Sequence, residues 1–119
     1  MPDVLFFESS PEVLAELAEL AAKHQLLERC EFHWVMPGTD VAKALREGQP
    51  RVVVTSWRGI GGAVVLEAAA LPNRPRILVA SHYPEDEIRC SPKGDIPDKV
   101  VDKFEINKLF DWVKKVLAV

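Results

Sequence analysis

Short strand-like runs alternate with longer amphipathic stretches along the whole chain, and this alternation limits the possible folds more than any single residue does. The runs cover residues 4–7, 30–35, 51–56, 76–80 or 76–81, and 99–103. Such alternation is typical of βα units around a mostly parallel sheet, so it predicts an α/β fold. Residues 4–7 are continuously apolar, as expected for a central strand that is covered on both faces.

The stretches between the runs carry helix signals. Ser9-Ser10-Pro11-Glu12 supplies an N-cap serine, a proline in the first turn and an early glutamate, and the apolar spacing that follows predicts a helix over residues 11–25. Thr39 or Asp40 can cap a second helix that runs to about residue 47. The spacing also predicts helices over residues 63–71 and 106–117.

Residues 82–98 interrupt this rhythm. The segment contains three prolines, Gly94 and several charges, and only residues 86–90 are able to form a helical turn. We therefore expect the fourth helix to be shortened or replaced by a loop.

Composition narrows the classes of function. A chain of 119 residues is long enough for one domain with a proper core, so we expect residues 1–119 to form a single domain. The net charge of −3 leaves no basic footprint, which argues against direct binding of nucleic acid. Cys30 and Cys90 lie 60 residues apart and have no Cys or His partner at metal-ligand spacing, so neither a zinc site nor a disulfide framework is indicated. We expect no metal and no cofactor. No apolar run approaches the roughly 18 residues of a membrane span, and we expect a cytoplasmic protein that does not bind membranes.

Two local segments, together with the order of strands and helices, resemble a known family. Lys103-Phe104-Glu105-Ile106-Asn107-Lys108-Leu109 is similar to the lysine, proline and phenylalanine run before the last helix of response-regulator receiver domains, with the proline missing. Residues 40–55, a helix ending in Gly-Gln-Pro before a β-branched strand, resemble the second helix and third strand of that family. The resemblance covers essentially the whole chain. It implies a flavodoxin-like, three-layer sandwich with a five-stranded parallel sheet of order 2-1-3-4-5.

The resemblance also implies where a site would lie, namely beyond the carboxyl ends of the strands. Receivers accept a phosphoryl group on an aspartate at the end of the third strand, and Ser56 occupies that position here. A hydroxyl cannot form the acyl phosphate. The acidic pair of the family corresponds to Glu8 and Ser9, which leaves one carboxylate and predicts weak or absent magnesium binding.

The other two family positions are changed to different degrees. The switch hydroxyl falls on Ala80 in the most direct register, or on Ser81 if the strand is shifted by one residue. Lys103 retains the family lysine, and Glu8 is its expected ion-pair partner. The resemblance therefore suggests a degenerate pseudo-receiver without enzymatic activity, which acts in signalling by binding another protein, as a homodimer or as an adaptor.

An alternative use of the same edge is a small-molecule or anion-binding regulator. The loop that follows the third strand contains Arg58, Gly61 and Gly62, whose charge and backbone amides could hold an anion, with Ser56 and Lys103 as further contacts. The simpler interpretation is that the glycines serve a tight turn. An enzyme of unrelated chemistry also stays open, because a fold does not fix a function.

One flank of the last helix is a possible interface. Trp112, Val116 and Val119 lie roughly 80° to 140° from the centre of its core stripe, at about 100° per residue. An exposed tryptophan there would favour a protein partner or a homodimer, whereas packing of Trp112 on the proline-rich segment would leave the flank without a role.

Overall fold

A computed structural model describes residues 3–8, 10–35, 40–57 and 59–118. Its strands form one parallel sheet in the order β2-β1-β3-β4-β5. The strands are β1 (Val4–Phe7), β2 (Phe32–Val35), β3 (Val52–Thr55), β4 (Arg76–Ser81) and β5 (Lys99–Asp102). The α/β, flavodoxin-like fold predicted from the sequence is confirmed, including the strand order.

Helices follow each strand along the chain. They are α1 (Pro11–Lys23), α2 (Val41–Gly48), α3 (Gly61–Ala69), α4 (Glu85–Cys90) and α5 (Ile106–Leu117), and a single 3₁₀ turn (Lys103–Glu105) precedes α5. The Ser10 hydroxyl accepts a hydrogen bond from the Val13 amide and caps α1. The Asp40 carboxylate accepts one from the Lys43 amide and caps α2, while Thr39 lies outside the described residues. These caps satisfy amides that have no partner within their helix.

Several boundaries differ from the predicted ones by one to two residues. The first helix ends at Lys23, because Gln25 has a positive φ of 59° that a right-handed helix cannot continue. The third strand ends at Thr55, so Ser56 follows it. The fifth ends at Asp102, whose carboxylate accepts a hydrogen bond from the Phe104 amide and starts the 3₁₀ turn.

Two apolar clusters cover the two faces of the sheet. One joins α1 and α5 to the sheet and contains Phe6, and the other joins α2, α3 and α4 to the sheet and contains Leu5 and Phe7. Consecutive residues of β1 thus enter opposite clusters, because strand side chains alternate in direction. This explains why the first run is apolar at every position, as a central strand requires.

The fourth helix has six residues, in agreement with the expected shortening. The segment after it is held by polar contacts to backbone carbonyls, since the Arg89 guanidinium donates to the carbonyl oxygens of Gly94 and Pro97. A Cβ at Gly94 would overlap the Ile88 carbonyl oxygen, so this close approach requires glycine. Within the described ranges, no helix has the length and hydrophobicity needed to cross a membrane.

Candidate functional site

The carboxyl ends of the strands meet at one edge of the sheet and form a surface cleft. Glu8 follows β1, Ser56 follows β3, Ser81 ends β4 and Lys103 follows β5, and all four line this cleft. The structure therefore brings together residues that are far apart in the sequence. Ser9, the second position of the predicted acidic pair, lies outside the described residues.

Glu8 is the buried charge of the site. Its side chain is 8% exposed, and its Oε2 atom lies 3.5 Å from Nζ of Lys103, whose side chain is 21% exposed. Its Oε1 atom accepts a hydrogen bond from the Ser10 amide at 3.3 Å. The cation that the sequence suggested as the partner of Glu8 is thus in place, and it compensates a carboxylate that would be costly to bury alone.

Ser56 is half-buried immediately after β3, and its backbone is closely packed. The Thr55 hydroxyl donates to the Ser56 carbonyl oxygen at 2.9 Å. A Cβ at Gly61 would overlap the same carbonyl oxygen, so the start of α3 approaches Ser56 too closely for any other residue. This contact is a structural reason for Gly61 that requires no ligand.

The sheet register relates Ser56 to the end of β4. Thr55 pairs with Val79, so the next residues along the two strands, Ser56 and Ala80, lie level with each other. The Ser81 hydroxyl accepts a hydrogen bond from the Tyr83 amide at 3.0 Å and takes part in the turn after β4. The register therefore places a methyl group, and not a hydroxyl, beside Ser56.

An apolar cavity of 220 Å³ lies behind the ion pair, on the face of the sheet covered by α1 and α5. Its apolar walls come from the sheet and from both helices, and they include Phe6, Leu17, Leu20, Val54, Ala80 and Leu109. Glu8, Ser56, His82 and Lys103 line both this cavity and the surface cleft. These four residues therefore form the polar mouth of an apolar chamber.

Phe104 is a residue of this site that the sequence reasoning missed. Its side chain is 83% exposed, it lines the cavity, and its ring lies 4.9 Å from the ring of His82. Phe104 was visible only as part of the run that resembles the receiver family. Helical periodicity gives no signal for it, because it lies in the 3₁₀ turn before α5.

The residues present do not fit a magnesium ion. Magnesium in receivers is held by carboxylates, and of the described residues at this edge Glu8 supplies one carboxylate that is already paired with Lys103. Across the part of the chain that the structure describes, no three His, Cys, Asp or Glu side chains converge as a metal site.

The glycine-rich loop is described only in part. Arg58 lies outside the described residues, whereas Gly61 and Gly62 begin α3. A Cβ at Gly62 would meet Lys93 at ordinary contact distances, 3.8 Å from Cδ and 4.0 Å from Nζ. Gly62 is therefore not demanded by packing, and the anion-binding interpretation of Arg58, Gly61 and Gly62 stays a prediction.

The flank of α5 is less exposed than expected. Trp112 and Val116 are half-buried and pack against the cluster of the α1 and α5 face, whereas Ile96 of the proline-rich segment belongs to the other face. Trp112 is thus neither fully exposed nor placed in the same cluster as that segment. Val119 lies outside the described residues.

The opposite flank of α5 contacts α1. His24 pairs with Asn107 at 3.1 Å and with Asp111 at 3.8 Å. Since successive helical residues turn by about 100°, Trp112 and Val116 lie on a different flank of α5 from Asn107 and Asp111.

The fold has counterparts among solved structures. A response regulator from Thermotoga maritima is 16% identical over 100% of both chains, with a TM-score of 0.68. The pseudo-receiver domain of the CikA protein is 16% identical over 98% of both chains, with a TM-score of 0.61. A CheY-like receiver domain from Methylobacillus flagellatus is 18% identical over 95% of this chain and 98% of its own, with a TM-score of 0.61.

Neither family models nor curated protein sequences match the chain. At these identities the three-dimensional likeness establishes the architecture alone. The chain has the flavodoxin-like fold of response-regulator receiver domains.

Proposed function

We propose that the chain is a receiver-like signalling domain that acts without phosphorylation, by binding another protein. The observation that carries the proposal is Ser56, which stands at the end of β3 where receivers have their acceptor aspartate. A serine hydroxyl cannot give an acyl phosphate, and the domain would therefore lack the reaction that switches receivers.

The surroundings of Ser56 support the same conclusion. Glu8 is paired with Lys103, so the cation that would meet a phosphoryl group is already neutralised. Ala80 lies level with Ser56 and offers no hydroxyl to a phosphoryl oxygen. Acceptor and switch position therefore depart from the receiver pattern together, while Lys103 keeps the family lysine in a pair with Glu8. Two changes at one site are expected when a whole site, and not one residue, has changed.

Protein binding is the proposed mode of action, because the described residues of the site form no recognisable catalytic constellation and the surface offers an apolar anchor. Phe104 exposes 83% of its surface in the 3₁₀ turn that follows β5. Large exposed aromatic side chains are typical anchors of protein interfaces. The likeness to a pseudo-receiver domain adds support at the level of the fold.

The direct test is phosphorylation. The protein is incubated with acetyl phosphate and magnesium and its intact mass is measured, and amide spectra are recorded with beryllium fluoride and magnesium. We expect no phosphoryl adduct and no magnesium-dependent change of the spectra. A stoichiometric adduct, or saturable spectral changes around Ser56, would overturn the proposal.

A matched variant distinguishes the effect of Ser56 alone from the effect of the rest of the site. Ser56→Asp restores the acceptor but leaves Glu8 paired with Lys103, and we expect this variant also to remain unmodified by acetyl phosphate. Efficient phosphorylation of Ser56→Asp would show that the rest of the site is intact and that one residue alone silences it. A catalytically active receiver serves as the positive control.

A further inference from the structure

We propose that the apolar cavity behind the Glu8–Lys103 pair is a binding site for a small, neutral, mostly apolar molecule with one hydrogen-bonding group. The proposal does not depend on the signalling role given above. Its basis is a chamber of 220 Å³ that opens at the carboxyl ends of β1, β3 and β4, between α1 and α5.

The size of the chamber limits the ligand. A cavity of about 150 Å³ accommodates benzene, so 220 Å³ suits a molecule of roughly ten non-hydrogen atoms, such as a fused bicyclic ring. Ala80 accounts for part of this room, since its neighbours in β4, Leu78 and Val79, carry much larger side chains. An apolar ligand would restore the dispersion contacts that the walls of such a chamber lack.

The charges at the mouth select against an ionised ligand. Glu8 and Lys103 lie 3.5 Å apart and neutralise each other, so neither is available to compensate a second buried charge. Glu16, which also lines the chamber, adds an exposed carboxylate on α1 and disfavours an anion. Burying an uncompensated charge is costly, whereas a neutral group needs one hydrogen bond.

Ser56 and His82 are further hydrogen-bonding groups at the mouth. Both line the chamber and the surface cleft, and Ser56 is half-buried. A hydroxyl or carbonyl group of the ligand can therefore form a hydrogen bond with Ser56 or His82 while the ring of the ligand enters the chamber. Phe104, exposed beside His82, can cover the ring from the solvent side.

The test uses two probes with the same ring system. At pH 7, 2-naphthol is neutral and 2-naphthoate is an anion, and each is titrated into the full chain while amide spectra are recorded. We expect saturable shifts with 2-naphthol at Glu8, Ser56, Ala80 and Lys103, with a Kd below about 1 mM. We expect 2-naphthoate to bind at least about tenfold more weakly, because its charge is not compensated.

Cavity-filling variants locate the binding. Ala80→Leu fills the chamber from β4 and should weaken the binding of 2-naphthol at least about tenfold. Ala63→Leu makes the same change on the exposed surface of α3 and should leave the affinity for 2-naphthol unchanged. Leu20→Phe fills the chamber from α1 and replaces Ala80→Leu if that variant does not fold. Absence of saturable shifts, equal affinity in a folded cavity-filled variant, or tighter binding of 2-naphthoate would each overturn the proposal.

Discussion

Glu8 and Lys103 lie 95 positions apart in the chain and form the ion pair on which the character of the strand-end site depends. Glu8 is almost fully buried, so its charge depends on Lys103 and on the Ser10 amide for compensation. When both charges of an ion pair are buried, removing one of them destabilises the fold mainly because the other charge stays buried without compensation. Lys103 is partly exposed, so water reduces this cost.

We predict that Lys103→Met lowers the free energy of unfolding by about 1–3 kcal/mol, because the Glu8 carboxylate is left buried without its cation. Adding Glu8→Gln to that variant should recover much of the loss. Urea unfolding of the two single variants and the double variant measures the coupling. Additive losses in the double variant would mean that the pair has no energetic role.

The two thiols should differ in reactivity. Burial, followed in importance by the nearby Asp3 carboxylate, raises the pKa of the Cys30 thiol, whereas Cys90 is exposed. A raised pKa leaves less of the reactive thiolate at neutral pH. With a chromogenic disulfide at pH 7.5, we expect a fast phase that is removed by Cys90→Ser and a slow phase that is removed by Cys30→Ser. The reverse assignment would contradict this account.

At the scale of elements, the start of α3 is fixed by the backbone of the neighbouring strand. Gly61 approaches the Ser56 carbonyl oxygen too closely for a side chain, while the adjacent Gly62 has room for one. Packing therefore requires glycine at position 61 but not at position 62. The glycine at position 61 is thus explained by a close backbone contact, whereas the glycine at position 62 is left open to the ligand-binding interpretation.

We predict different effects for alanine at these two positions. Gly61→Ala should lower the free energy of unfolding by about 1–3 kcal/mol, because the new methyl group must displace the backbone at Ser56. Gly62→Ala should be neutral or stabilise by up to about 1 kcal/mol, since alanine favours the helix. Thermal and urea unfolding measure both. Equal effects would show that the close approach at Gly61 does not matter.

At the scale of the whole molecule, exposed apolar side chains lie on more than one face. Phe104 is 83% exposed beside the strand-end site, and Leu66 is 47% exposed on α3, on the other face of the sheet. Trp112 is half-buried on the flank of α5 and contributes to the core as well as to the surface. Phe104 therefore tests an interface more cleanly than Trp112 does.

If the chain forms a homodimer through the β5 edge, Phe104→Ser should abolish concentration-dependent sedimentation, and Leu66→Ser, the matched control, should leave it unchanged. Phe104→Ser should keep the free energy of unfolding within about 0.5 kcal/mol of the unmodified chain, because Phe104 is largely exposed. Leu66 is 47% exposed, so Leu66→Ser should lower it by no more than about 1 kcal/mol. Loss of association in the Leu66 variant alone would place the interface on α3 instead.

Much of the fold could be predicted from local sequence patterns. The predicted last helix, residues 106–117, coincides with α5, and the shortened fourth helix appears as residues 85–90. The ends of elements were less accurate, because Asp102 at the end of β5 acts through a side-chain cap and Gln25 after α1 acts through a positive φ, and periodicity contains neither. The exposure of Phe104 was missed for a similar reason, since it depends on the turn that follows Asp102.

The sequence by itself determined the order of strands and helices and the residue types at the strand ends, including the hydroxyl of Ser56, because burial periodicity and turn residues act over short distances. Only the tertiary structure decided which of these residues meet. The register that sets Ala80 level with Ser56, the contact of Glu8 with Lys103 and the chamber behind them all depend on packing between distant segments. Such packing is set by the shapes of many side chains at once, which no local pattern encodes.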